Sequence, residues 1–392
     1  MQHYFGEMAG WHLLTFFDYT STRVMLATCQ SLLFCLFFGP YFIKKLSQLN
    51  AGQPIREDNG FLLGELHKSK KNTPTMGGVL ILASVLSSLV VWMDLTSPFT
   101  IILFLTAVIF GTLGGYDDYL KLRYKNSKGL SGKKKLIVQL LWASMVIAYL
   151  QGFLPESMEW LRPPVILEFA EGDSKNVLLS LQEYSSRIYV PFVKEPVFIL
   201  TGAAGVILCA FLAFVIVGSS NAVNLTDGLD GLATGLCILA AGTLGVFAFL
   251  SNHAEIAAYL NILYVEGSGE IAVFLAAVCG ACLGFLWFNC QPAQLFMGDV
   301  GSLSLGGVIG VSAVLLNREF LLGLVGGIFV VEALSVIVQV GSYKWRKKRV
   351  FLCAPLHHHF EYKGWKESKV VIRFWIIGIL LSLLGLISLK LQ

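Results

Sequence analysis

The chain has 392 residues, 55% of them hydrophobic and only 14% charged, with a formal net charge of +4. At a mean hydropathy of +0.69, no single water-soluble core can hide the apolar surface, which excludes a soluble or disordered protein and implies an integral membrane protein. The apolar runs are continuous and rich in Leu, Ile, Phe and Gly, which excludes the short alternating strands of a closed barrel.

Runs of about 18 to 25 apolar residues, enough to cross roughly 30 Å of hydrocarbon as helix, fall near 22–43, 76–96, 98–119, 135–152, 196–218, 229–250, 270–288, 301–317, 320–342 and 371–390. They predict an all-α polytopic membrane protein of about ten transmembrane helices forming a single domain over residues 1–392. Residues 1–21 lack the basic start and small-residue cleavage site of a secretory signal, so the first run is expected to remain a membrane helix. Lys and Arg concentrate in the connections 44–75, 120–135 and 343–370. Basic loops stay cytoplasmic, so both termini are expected on the periplasmic side.

The first basic loop ends in Lys68-Ser69-Lys70-Lys71-Asn72-Thr73-Pro74-Thr75-Met76-Gly77-Gly78. Lysines, hydroxyls and glycines at a helix start suit phosphate, although the lysines would serve topology alone. Tyr116-Asp117-Asp118-Tyr119 then closes the third run, followed by Lys121 and Arg123. Adjacent helical side chains diverge by about 100°, whereas Asp117 and Lys121 are i,i+4 neighbours on one face. The segment 153–195 is the longest outer connection and mildly acidic; it is expected to be a small periplasmic hairpin or cap, and no chemistry is assigned to it.

In the next polar cluster Asn221, Asn224, Asp227 and Asp230 recur at three-residue steps, the spacing of one inclined helical stripe. Gly228 and Gly231 allow close backbone approach. The eight cysteines form no disulfide framework expected of a secreted scaffold, and Cys279 with Cys282 is read as helix packing, without zinc. Glycine spacings such as Gly111 with Gly115, and Gly306-Gly307 with Gly310, predict close helix contacts.

Asn289-Cys290-Gln291-Pro292-Ala293-Gln294-Leu295-Phe296-Met297-Gly298-Asp299 fills a short inner loop. Phe296 suits stacking on a nucleobase, Asn289 suits reading its edge, and Asp299 offers a hard oxygen ligand to Mg²⁺. Each also has a plain use as an interfacial anchor or a helix cap. Within the ninth run, Glu332 and Gln339 share a face seven residues apart. Glu332 reads as a buried acid bonded to a neighbouring helix or kept protonated, and Gln339 as the better ligand. The last inner loop holds His357-His358-His359. Three consecutive imidazoles cannot point one way, so one or two are expected to contact phosphate or orient a partner.

Carboxylates are costly near hydrocarbon, and here they gather on one face, which predicts a metal-dependent or proton-handling site there. The ordered motifs TPTMGG at 73–78, YDDYLK at 116–121, NAVNLTDGLDGLA at 221–233, FNCQPAQLFMGDVGSLSLGG at 288–307 and PLHHHFEYKGWKE at 355–367 resemble those of the bacterial phospho-N-acetylmuramoyl-pentapeptide transferases. These belong to the polyprenyl-phosphate N-acetylhexosamine-1-phosphate transferase superfamily. The resemblance runs from about residue 44 to the C-terminus. Loop 153–195 looks longer than usual for that family, and Asn72 stands where glycine is expected.

The resemblance implies a Mg²⁺-dependent reaction at the cytoplasmic face of the bacterial inner membrane. UDP-MurNAc-pentapeptide and undecaprenyl phosphate give UMP and the lipid-linked phospho-MurNAc-pentapeptide, lipid I, for peptidoglycan synthesis. It implies catalytic roles for Asp117, Asp118, Asp299 and His358, with Asp299 the metal ligand and Asp117 deprotonating or orienting the lipid phosphate. Asn289, Phe296, Asp227 and Asp230 would hold the uridine, and Lys70, Lys121 and Lys133 the phosphates. Thr75, Asn221, Asn224, Gly228, Leu229, Gln339, His357 and His359 complete the expected substrate set. A homodimer is implied and nucleic acid is not an expected partner. The alternatives are a related transferase using a peptide-free UDP-N-acetylhexosamine, disfavoured by the histidine block and KGW ending, and a secondary transporter, disfavoured because the acids crowd one face instead of the midplane.

Overall fold

A computed structural model describes residues 17–48, 73–124, 129–153, 162–169 and 176–389. The apolar runs become helices because a helix satisfies its own backbone hydrogen bonds inside hydrocarbon. They are α1 (Thr20–Gln48), α2 (Gly78–Trp92), α3 (Pro98–Tyr124) and α4 (Gly132–Leu150). Next come β1 (Ile166–Glu168), β2 (Val177–Leu179), the one-turn α5 (Leu181–Ser185), β3 (Arg187–Ile188) and β4 (Phe198–Ile199). The chain continues through α6 (Gly205–Thr226), α7 (Leu232–Ser251), α8 (Ala254–Tyr259), β5 (Tyr264–Val265), α9 (Ser268–Asn289) and α10 (Gly298–Leu315). It ends with α11 (Glu319–Val325), α12 (Gly327–Arg346), α13 (Leu356–Tyr362) and α14 (Glu367–Ile387).

Among the described residues eight helices, α1, α3, α6, α7, α9, α10, α12 and α14, are long and apolar enough to cross a membrane. The protein is thus a polytopic helical membrane protein. Two of the ten expected runs fall outside that set. Helix α2 is apolar but only 15 residues long, and α4 opens with Lys133, Lys134 and Lys135.

Helix α10 is the axis. It packs along α3 and α6, and every residue from Val300 to Leu315 is buried. A helix covered all round needs small residues where neighbours approach, and α10 supplies them. Gly306 and Gly310 lie on Ser219 of α6, and Gly307 lies on the Phe110 ring of α3. At its first turn, Gly301 meets Gly78 of α2 backbone to backbone, and Gly114 of α3 meets the Asp299 carbonyl. Of the expected glycine contacts, Gly111 packs on Leu82 and Gly115 on Val300. Helix α9 lies against α1 and α7, with Cys282 buried and the Cys279 thiol 3.6 Å from the Ile238 carbonyl. Helices α1, α6 and α12 expose most of their length, and side chains such as Phe214 and Ile337 face outward, as lipid contact requires.

Helix α4 carries the chain from its lysine-rich start to a small sheet of order β2-β1-β5. Ile166 pairs with Leu179 on one side and Val265 on the other, all antiparallel. The β1–β2 hairpin falls within the segment expected to form a hairpin or cap, and the third strand comes from beyond it. Arg187 closes on Glu168 at 2.8 Å.

Candidate active site

At the opposite end from that sheet, four helices converge on one polar cluster. Helix α3 places Asp117, Asp118 and Lys121 within its last two turns. Lys121 Nζ lies 2.7 Å from Asp117 Oδ2 and 3.5 Å from Asp118 Oδ1, the i,i+4 and i,i+3 contacts that helical spacing dictates. Asp299 enters from the first turn of α10. Gly298 precedes it at φ 73°, a left-handed conformation that L side chains resist. This turn is held from outside the helix: Gly77 N–H donates to the Phe296 carbonyl, Gly78 N–H to that of Met297, and Phe296 N–H to that of Pro74, at 2.8 to 2.9 Å. The TPTMGG and FMGDVG motifs therefore form one paired unit, with Thr75 buried beside Gly298.

Helix α4 contributes Lys135, whose Nζ reaches Asp299 Oδ2 at 2.7 Å and Asp117 Oδ2 at 2.9 Å. Lys121 also reaches Asp299, at 3.1 Å. Helix α6 contributes Asn224, which donates to Asp299 Oδ1 at 3.0 Å and to the Ser302 hydroxyl at 2.8 Å. Asp117 accepts Leu130 N–H, and Asp118 accepts Val300 N–H at 3.2 Å.

Ligand oxygens of Asp117, Asp118 and Asp299 lie within 4.8 Å of one another. Hard, charged oxygens so close together match what Mg²⁺ takes from a protein, so the donor set fits such an ion. The three acids are not equally accessible. The Asp299 side chain is 16% exposed, against 0% for Asp117 and 4% for Asp118. Asp299 is the one that an incoming ligand meets.

The second motif bends where the three-residue spacing predicts one stripe. Helix α6 stops at Thr226; Asn221, five residues earlier in the chain, donates to Gln139 at 2.9 Å, and Asn224 turns to Asp299. Beyond the helix end the turn sends Asp227 and Asp230 apart. Asp230 Oδ2 accepts Ala293 N–H at 3.0 Å. Burial pushes the Asp227 carboxyl up to about 8, and the neighbouring charges of Asp299, Asp118 and Asp230 add to the shift against the pull of Lys121. Gly228 is exposed, whereas Leu229 is buried. Asn289 is buried, with both ends of its amide engaged. Its oxygen accepts Gly231 N–H at 3.1 Å and the Thr234 hydroxyl at 3.0 Å, while its nitrogen donates to the Leu295 carbonyl at 2.9 Å. It ties the second motif to the third, with Phe296 half-buried nearby in sequence.

The three histidines diverge. His357 is wholly buried between Glu332 and Gly228. The Nδ1 of His358 sits 2.7 Å from Glu361 Oε2; burial lowers the His358 pKa, an effect that Glu361 opposes. His359 Nδ1 accepts Leu352 N–H at 3.1 Å. Glu332 is bonded to a neighbouring helix, accepting His357 N–H at 3.0 Å. Gln339 accepts the N–H groups of Val350 and Phe351 and donates to the Phe351 carbonyl, each at 3.0 Å. It pins the segment after α12 and makes no contact with the aspartates.

Lys70 lies outside the described residues, and Lys133 is exposed. The fold delivers the expected Lys121 to the aspartates and, beside it, Lys135, which was not among the expected site residues. Its signal is Gln139, Trp142, Ala143 and Val146, the buried stripe of α4: Lys135 stands four residues before Gln139 on that face, and Lys133 does not. Ser302 and Glu367 were also missed. Glu367 accepts Asp230 N–H at 2.8 Å and Gln291 Nε2–H at 3.2 Å, and lies inside the PLHHHFEYKGWKE motif.

The chain matches the Glycosyl transferase family 4 model over residues 100–317 and the phospho-N-acetylmuramoyl-pentapeptide-transferase signature 1 over residues 70–82. The phospho-N-acetylmuramoyl-pentapeptide-transferase of Protochlamydia amoebophila (strain UWE25) is 59% identical over 96% of this chain and 95% of its own length. Those of Neisseria meningitidis serogroup C (strain 053442) and Thermodesulfovibrio yellowstonii (strain ATCC 51303 / DSM 11347 / YP87) are 44% and 47% identical, over 100% and 97% of this chain and 99% and 96% of their own lengths. With likeness of that depth over its whole length, the chain belongs to the phospho-N-acetylmuramoyl-pentapeptide-transferase family.

Proposed function

We propose that the cluster of Asp117, Asp118, Asp299, Lys121 and Lys135 transfers phospho-MurNAc-pentapeptide from UDP-MurNAc-pentapeptide to undecaprenyl phosphate, releasing UMP and forming lipid I in peptidoglycan synthesis. The observation that carries this reading is the meeting of three carboxylates and two ammonium groups from α3, α4 and α10 at the end of the bundle where basic loops lie. Two phosphates that approach each other repel, so the protein's work is charge neutralisation and alignment. Lys121 and Lys135 neutralise the phosphates directly. Asp299, with Asp117 and Asp118 behind it, would hold Mg²⁺, which supplies Lewis-acid neutralisation of phosphate oxygens when bound.

An oxygen of the lipid phosphate attacks the β-phosphorus of the donor, the bond from that phosphorus to the bridging oxygen breaks, and UMP leaves with the electron pair. A phosphate oxygen is already a nucleophile, so no covalent enzyme intermediate is needed. Asp117 orients the lipid phosphate through Lys121 and Lys135, which share its Oδ2. The uridine lies toward Phe296 and the turn of Asp227 to Asp230, where Asn289 shapes the site by joining the two motifs. His358 and His359 lie on α13, the helix that also sets His357 against Gly228.

The chain crosses the bacterial inner membrane ten times, α2 and α4 included, with both termini periplasmic and the site at the cytoplasmic face. Loops 120–135 and 343–370 support that orientation by their Lys and Arg content. The resemblance to the family supports a homodimer. Purified protein given UDP-MurNAc-pentapeptide, undecaprenyl phosphate and Mg²⁺ should release UMP and lipid I in equal amounts. Turnover of a peptide-free UDP-N-acetylhexosamine in preference would transfer the assignment to the related sugar-phosphate transferases.

A further inference from the structure

Glu332 lies in the second turn of α12, a helix long and apolar enough to cross a membrane, with its side chain wholly enclosed. A carboxylate there is costly, and the contacts around it are few and directed. One oxygen accepts the backbone N–H of His357 at 3.0 Å, and the other lies 3.2 Å from His357 Nδ1. The imidazole, equally enclosed, turns its Nε2 edge onto Gly228, so close that a β-carbon at position 228 would collide with the ring. Neither ring nitrogen has a hydrogen-bond partner among the described residues, so close contact alone, with Glu332 at one edge and Gly228 at the other, fixes the ring. Gly228 is the centre of the turn that carries Asp227 and Asp230.

These contacts form one continuous strut from a lipid-facing helix to the second site motif. The turn is held from its other side as well, where Glu367 of α14 accepts Asp230 N–H at 2.8 Å. Pro355, at the start of α13, offers no side-chain cap, so Glu332 also secures the first turn of the histidine helix. Resting on the function proposed above, we propose that Glu332 is a positioning residue for the nucleotide-sugar donor. Acting through His357, it sets the height of the Asp227–Asp230 turn against Asp299. It touches neither substrate, and the lipid phosphate does not depend on it.

The test uses the full chain in lipid nanodiscs, with UMP affinity measured by calorimetry and KM measured for each substrate. Glu332→Leu should weaken UMP binding and raise the donor KM by on the order of tenfold, leaving the KM for undecaprenyl phosphate unchanged. Glu332→Gln, whose amide oxygen still accepts His357 N–H, should recover most of the loss. If Glu332→Leu does not fold, Gly228→Ala examines the same strut from the loop. The added methyl meets the imidazole, so the donor KM should rise in the wild-type background and rise much less in His357→Ala.

Equal effects of Gly228→Ala in both backgrounds would overturn the strut. So would a Glu332→Leu protein with normal UMP affinity and a loss in kcat alone. A wild type that neither binds UMP nor turns over would overturn the proposed function and this inference with it. A working wild type with an indifferent Glu332 would overturn the inference alone.

Discussion

Lys135 and Asp299 lie 2.7 Å apart across 164 positions of sequence. That contact joins α4 to the first turn of α10, and it identifies which of three consecutive lysines faces the site. Lys135→Met should reduce turnover by on the order of 100-fold or more, the scale of losing a donor aimed at developing charge. Lys133→Met should stay within about threefold, because an exposed lysine contributes little beyond screened attraction. Initial rates of lipid I formation by the two purified variants decide the matter, and a Lys133→Met loss matching that of Lys135→Met would remove the distinction.

Asp227 gives the protein a pH signature. Its folded-state pKa is raised to about 8, chiefly by burial and then by Asp299, Asp118 and Asp230, whereas an unfolded aspartate titrates near 3.9. Between those values the folded state binds more protons than the unfolded one, so this group's stabilisation is full at low pH and is lost as pH rises toward about 8. Asp227→Asn should flatten the decline of thermal stability over that interval, as read by melting in detergent from pH 5 to 9. A decline unchanged by the substitution would dissociate Asp227 from it.

Gly114 of α3 lies against the Asp299 carbonyl with no room for a side chain. Gly114→Val should cost about 1–3 kcal/mol through overpacking and lower kcat by displacing Asp299. A variant with wild-type melting and wild-type rate would show that the α3–α10 approach is not constrained there.

The apolar runs were legible because hydrocarbon imposes a length and a composition, although run 196–218 opens on β4 before α6 begins and run 320–342 breaks at Gly326 into α11 and α12. Helix α2 falls short of that length, and α4 trades apolar residues for lysines that serve the site. The gathering of Asp117, Asp118 and Asp299 was legible because carboxylates are too costly beside hydrocarbon to collect on one face without a shared cationic partner. The partners were less so. Asn289 reads as a base-contacting amide until Gly231, Thr234 and Leu295 are seen to occupy it. Gln339 reads as a ligand until Val350 and Phe351 are seen to fold back on it. Asn289 meets Gly231 and Thr234 from 58 and 55 residues earlier in the chain, and Gln339 meets Val350 and Phe351 11 and 12 residues on, separations that local spacing does not encode.

Direct attack and a covalent route differ in what happens before the acceptor arrives. With the lipid phosphate as the proposed nucleophile, enzyme mixed with UDP-MurNAc-pentapeptide alone should release no UMP in proportion to enzyme. A stoichiometric UMP burst, with phospho-MurNAc-pentapeptide retained on Asp117, Asp118 or Asp299 and chased into lipid I at the turnover rate, would establish the covalent route instead.

Asp299, the most exposed of the three clustered acids, is the residue proposed to hold the catalytic metal. The direct test is UMP release by Asp299→Asn beside wild type, with both substrates and saturating Mg²⁺, after melting curves establish that both proteins are folded. An amide is a neutral and weaker ligand for Mg²⁺, so wild type should turn over and lose its activity to a chelator, while folded Asp299→Asn should release no UMP above background. Near-normal turnover by Asp299→Asn would contradict the claim.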